Sequence, residues 1–151
     1  MSDYADIANL SWDNIQEPKL LPRGSYLLRL RNVSYQEPKD SGQNGVVMFV
    51  HVPKEPMNDV SDAELAELGE DYDISENKVF TRVYIEDGTS WRRVRDILAN
   101  HGFEVSGGVI ESLKAASKAK LEVIGFLDRQ AFTRKDGSAG EANNITEFAK
   151  V

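Results

Sequence analysis

Between Lys78 and Ile85 the chain alternates strictly: Val79, Thr81, Val83 and Ile85 fall on one side of an extended strand, Phe80, Arg82 and Tyr84 on the other. Similar alternation predicts four further strands. Ser25–Gln36 sets Tyr26, Leu28 and Leu30 against Leu27, Arg29, Arg31, Val33 and Tyr35, with apolar residues on both faces, as expected of a long strand that bends to serve two sheets of a small barrel. Val46–Val52 sets Val46, Met48, Val50 and Val52 against Val47, Phe49 and His51. Lys118–Phe132 and Asn144–Lys150 supply the last two, joined by a loop over Thr133–Asn143.

Helical spacing appears in three places. After Asp87-Gly88, Thr89 or Ser90 caps a helix that carries Trp91, Val94, Ile97, Leu98 and His101 on one stripe and stops at Gly102, which makes Trp91 core and Arg92, Arg93 and Arg95 a solvated face. A weaker helix is predicted over Val109–Ala116. Ser61 and Glu64 have capping-box spacing ahead of Leu65 and Leu68, predicting a short helix that ends before Gly69.

The resulting order is three strands, one principal helix, then two strands. It predicts a mainly β protein, a five-stranded OB-fold-like barrel with its helix between the third and fourth strands. Residues 1–21, with scattered Tyr4, Ile7, Leu10, Trp12 and Ile15 and closed by prolines, read as an arm that docks on the domain or on a neighbour; residues 22–151 form the domain.

Charge changes this picture. The formal net charge is −7, yet residues 54–77 hold nine acids against Lys54 alone, and residues 1–17 hold four acids and no base. The strand-rich remainder is therefore mildly basic. The acidic segment 54–77 reads as an insertion between the second and third strands.

An amphipathic strand ordinarily turns small polar groups to water, so an exposed Phe-Arg-Tyr face calls for a partner with flat π-surfaces and negative charge. Single-stranded nucleic acid is such a partner. The alternative is that both faces are covered and the rings are core. On the first reading the neighbouring strands add Phe49 and His51, then Arg29, Arg31 and Tyr35. The loop between the last strands adds Arg129, Phe132, Arg134 and Lys135.

Catalytic and metal chemistry find no foothold in the pattern. There is no cysteine, and His51 and His101 stand fifty residues apart with no metal spacing around either. The run Asp71, Asp73, Ser75, Asn77 begins like a calcium loop but has Glu76 where glycine is required and Arg82 at its twelfth position. A binding protein without cofactor, rather than an enzyme, is expected. Met1–Asn9 has no basic run of the signal-peptide kind, no apolar stretch is long enough for a membrane helix, and a cytoplasmic protein is expected.

Pro22-Arg23-Gly24-Ser25-Tyr26, Lys39-Asp40-Ser41-Gly42, Lys135-Asp136-Gly137 and Asn143-Asn144-Ile145 together resemble the phage-encoded single-stranded DNA-binding proteins of OB type, over roughly Pro22–Phe148. The resemblance implies binding without sequence preference during phage replication or recombination in the host cytoplasm. Many such proteins end in an acidic tail with a terminal aromatic, whereas this chain ends Glu147-Phe148-Ala149-Lys150-Val151. Recruitment of replication or recombination proteins would then fall to the acidic insertion, with homo-oligomerisation a further expectation. The rival reading is a virion structural protein, a capsid decoration or adaptor β-barrel in which Phe80 and Tyr84 anchor an interface.

Overall fold

The computed structural model describes residues 19–40 and 42–151. Five strands form one antiparallel sheet: β1 (Gly24–Gln36), β2 (Gly45–Pro56), β3 (Val79–Ile85), β4 (Glu122–Thr133) and β5 (Ala139–Ala149), in the order β3-β2-β1-β4-β5. The fold is mainly β. Among the described residues three α-helices accompany the sheet, α1 (Asp62–Glu67), α2 (Gly88–Asn100) and α3 (Val109–Lys118), with one 3₁₀ turn at Ile74–Glu76. Two helices, not one, thus separate β3 from β4, and the sheet does not close: β3 and β5 approach each other without joining in a ladder. No described helix is long and apolar enough to cross a membrane.

The long first strand bends as its two apolar faces require. Register shifts fall between Leu27 and Leu28 and between Leu30 and Asn32, so Arg31 sits at a bulge. β1 pairs with β4 only from Gly24 to Arg29. Beyond that point Ser117 of α3 substitutes for the missing strand: its hydroxyl accepts from Val33 N at 3.0 Å and lies 3.0 Å from Val33 O. The fourth strand begins later than the pattern predicts, and the fifth begins earlier. Ala139–Asn143, expected as loop, is strand, so β4 and β5 run into a tight turn at Arg134–Gly137, where Gly137 takes φ +87°.

The core has two parts. Val94, Ile97 and Leu98 of α2, with Leu113 and Ala116 of α3, cover Leu30, Val33, Val47, Phe49 and Val83. Asp87 caps α2, accepting from Thr89 N at 2.8 Å, so the helix starts ahead of the predicted Thr89 or Ser90. Its end at Gly102, φ +76°, is as predicted.

The second part joins Leu21, Tyr26, Leu28, Val123 and Leu127 to Val60 and Leu68 of the acidic segment. That segment is therefore folded onto the sheet. Ser61 caps α1 by accepting from Glu64 N, as its spacing predicts, and its acids face water while Val60 and Leu68 are buried. At ~1.5–3 kcal/mol for each such apolar side chain, it holds one end of the core together.

Of the arm predicted over residues 1–21, residues 1–18 lie outside the described residues. Leu21 and Pro22 are fully buried, so the domain begins ahead of residue 22. Lys19–Leu21 bridges the two free edges of the sheet. Asn143 on β5 accepts from Leu21 N at 2.9 Å and donates to Leu21 O at 3.0 Å, while the Tyr72 hydroxyl accepts from Lys19 N at 2.8 Å and Asn77 donates to Lys19 O.

Candidate nucleic-acid interface

Register decides which predicted contacts share a face. Opposed residues of an antiparallel pair project to the same side, and β3 pairs with β2 as Phe80 with Val50, Arg82 with Met48 and Tyr84 with Val46. Phe80, Arg82 and Tyr84 all lie on the outer face, where Phe80 and Tyr84 are 45% and 59% exposed. Phe49 and His51 pair with Thr81 and Val79, on the opposite face, and both are fully buried. Their expected place beside Phe80 is corrected: a ring one residue out of phase with Phe80 across the ladder belongs to the core.

Tyr35 is also turned inward. It opposes Val47, is half-buried, and tilts against Trp91 with ring centroids 5.4 Å apart. Arg29 and Arg31 are exposed on β1, separated from β3 by the whole of β2, which is roughly 10 Å at the usual strand spacing. Arg29 stands opposite Glu122, whose carboxylate already takes Lys54 at 2.8 Å. Arg129 turns the other way, donating to Leu21 O at 3.3 Å and lining a polar hollow with Arg23, Asp59, Glu64 and Glu141. There it steadies the seam rather than facing β3.

Of the remaining residues, the β4–β5 hairpin brings Phe132 to a cleft beside β3, while Arg134 and Lys135 are not part of its lining. An open cleft of about 540 Å³ has Phe80 and Arg82 on one wall, Gln130, Phe132 and Asn144 on the other, and Lys19, Glu76 and Lys78 at its end. Phe132 is 44% exposed. Each ring carries a guanidinium: Arg82 lies 6.0 Å from the Phe80 centroid and Arg134 5.3 Å from that of Phe132. Arg134 is further fixed by donating to Ala139 O. Gly140, opposite Phe132 in the ladder, is what permits this: a Cβ there would stand 2.6 Å from Phe132 Cζ and 2.8 Å from the Arg134 guanidinium carbon. Lys135 is exposed at the turn, which Asp136 stiffens by accepting from Ser138 N at 2.9 Å.

Gln130, Asn144, Lys19 and Lys78 were not anticipated in this site. Gln130 and Phe132 share one face of β4 at period two, a spacing that the predicted strand Lys118–Phe132 already contains. Chemically, the cleft offers two π-faces, neighbouring cations and amide donors and acceptors. Glu76 and Glu141 reduce its positive charge. No group of three or more metal-ligating side chains converges among the described residues.

The structure also unites two residues that spacing kept apart. His51 Nε2 and His101 Nε2 are 2.8 Å apart inside the core, against Phe49 and Phe148. His101 Nδ1 lies 2.7 Å from Ile97 O, which can only accept, so Nδ1 carries the proton and Nε2 of neutral His101 accepts from His51 Nε2–H. This leaves His51 Nδ1 buried without a partner among the described residues. Burial, then the neighbouring His101, pushes His51 down to about 3; burial also lowers His101, against the opposing pull of the Ile97 carbonyl.

No protein-family model matches the chain, and no curated protein matches it.

Proposed function

We propose that this protein binds single-stranded DNA without sequence preference, in phage replication or recombination, along the outer face of β3 and under the β4–β5 hairpin. The observation that carries the reading is the pair of exposed rings, Phe80 and Phe132, each with an arginine over it, facing one open cleft. Stacking of a base on an aromatic contributes ~1–3 kcal/mol, and the arginines and lysines supply the phosphate contacts that make affinity fall with salt. Tyr84 extends the aromatic stripe along β3.

The strand order β3-β2-β1-β4-β5, with β3 and β5 drawn together across a seam, supports an OB-type barrel. Such barrels present this face and the hairpin between the last strands to oligonucleotides.

The test is a salt titration of binding to fluorescent oligo-dT. Binding that loses about tenfold or more between about 50 mM and about 200 mM salt, and that exceeds binding to duplex, is expected. The double change Phe80→Ala/Tyr84→Ala weakens it by a few kcal/mol with a nearly unchanged melting temperature, because both rings are exposed. Absence of binding at low salt refutes the proposal.

A further inference from the structure

A second surface has no part in the cleft. Between α2 and α3 runs a groove of about 420 Å³ floored by Val94, Leu98 and Leu113 and walled by Trp91, Val105 and Val109, with Arg92 and Arg95 at its α2 rim. Val105 and Val109 are 39% and 47% exposed, and Ile110 beside them is 45% exposed. Apolar side chains of this size left open to water, beside Arg92 and Arg95, fit a partner that offers bulky apolar groups and carboxylates together. Among the described residues Arg95 makes a single 3.5 Å contact, with its neighbour Asp96, and Glu111 stands near Gly107, so an acidic occupant is drawn to the α2 rim.

The chain contains a segment of that composition. Residues 1–17 carry Tyr4, Ile7, Leu10, Trp12 and Ile15 among four acids and no base. They join the domain at Lys19, which Tyr72 and Asn77 hold at the sheet seam beside the Leu21–Val60 part of the core. The groove lies on the helices that cover the other part. β1 from Gly24 to Val33 spans roughly 30 Å. A tether over that distance within one chain consumes about nine residues and removes Trp12 and Ile15 from docking there.

We propose that the α2–α3 groove receives segment 1–17 of a second copy of this chain. The contact is head to tail: one surface is given and a different one is taken, so successive copies can add in a row. It does not depend on nucleic acid, and its failure leaves the cleft reading untouched.

Sedimentation velocity of the full chain without nucleic acid tests it. Concentration-dependent association that weakens with salt is expected. Arg92→Glu/Arg95→Glu lowers the association constant about tenfold or more, as does Asp6→Arg/Asp13→Arg, and a chain carrying all four changes regains it, because the charges are complementary again. Val109→Ser lowers association at unchanged charge. A chain that stays monomeric at every concentration, association indifferent to the groove variants, or a cross-link from Trp12 to the groove of its own chain each overturns the proposal. Melting curves for each variant separate loss of association from loss of fold.

Discussion

Lowering the pH from about 7.5 to about 5 leaves carboxylates largely ionised but protonates any free imidazole, and this chain has only two, His51 and His101. Both are buried in the native state, bonded Nε2 to Nε2 at 2.8 Å, and both have lowered pKa values. A histidine whose native pKa lies below its unfolded value stabilises the fold fully above the unfolded pKa, and that contribution is lost as the pH falls from about 6.5 toward the native value. At ~1.4 kcal/mol per pH unit, His51, lowered to about 3 and so neutral in the fold, costs about 2 kcal/mol of stability by pH 5, and the lowered His101 adds to the loss in the same direction. A domain of this size loses ~2–4 °C of melting temperature per kcal/mol, so His51 alone accounts for a fall of roughly 4–8 °C. Asp59, Asp73 and Asp136, all lowered by hydrogen bonds from Ser25, Ser75 and Ser138, withdraw their contributions only below the ordinary carboxylate range. Calorimetry in matched buffers reads the slope, with His51→Leu/His101→Gln as the control that has no imidazole and no slope in this window. A wild-type melting temperature flat from pH 7.5 to 5 refutes the reasoning, since the pair then takes up protons inside the fold. A control that keeps the slope refutes it equally.

Four further outcomes follow from side-chain placement. Phe49→Ala lowers stability by about 3–5 kcal/mol in urea denaturation, as expected of a fully buried ring and in contrast to Phe80→Ala. Gly140→Val drives its side chain into Phe132 and Arg134, so oligo-dT affinity falls more than thermal stability does; equal losses would mean that the hairpin and not the ring position is disturbed. Glu76→Gln/Glu141→Gln raises oligo-dT affinity at low salt and progressively less at high salt, because both acids line the cleft. Removing the whole segment 54–77 would instead unfold the protein, as it takes Val60 and Leu68 out of the core.

Periodicity located all five strands and the stripe of α2, because each buries one face against a core that imposes a period of two or of 3.6 on the residues facing it. What it could not supply was phase between strands. Phe49 and His51 were expected on the outer face because an alternating strand has two faces and nothing local says which is wet; only pairing with Val79 and Thr81 assigns them inward. Ala139–Asn143, rich in small and polar residues, became strand because β4 supplies its partners, a tertiary effect. The outward stripe Phe80, Arg82, Tyr84 was legible because three unusual residues in one phase outweigh the ambiguity. The histidine pair was not, since its members stand fifty positions apart with α1, β3 and α2 between them.

The position of β1 at the centre of the sheet has a kinetic consequence. Its first half pairs with β4, some ninety residues further along the chain, as in Arg29 opposite Glu122. At a synthesis rate of ~5–20 residues per second that edge waits roughly 5–20 s for its partner, unpaired, while β2 and β3 have already emerged. That waiting stretch, Gly24–Arg29, ends in Arg29, with Arg31 just beyond it on the same strand. Like charges on an open strand discourage edge-to-edge pairing between nascent chains. These two arginines, remote from the cleft of the finished molecule, thereby bear on how much of it reaches the folded state.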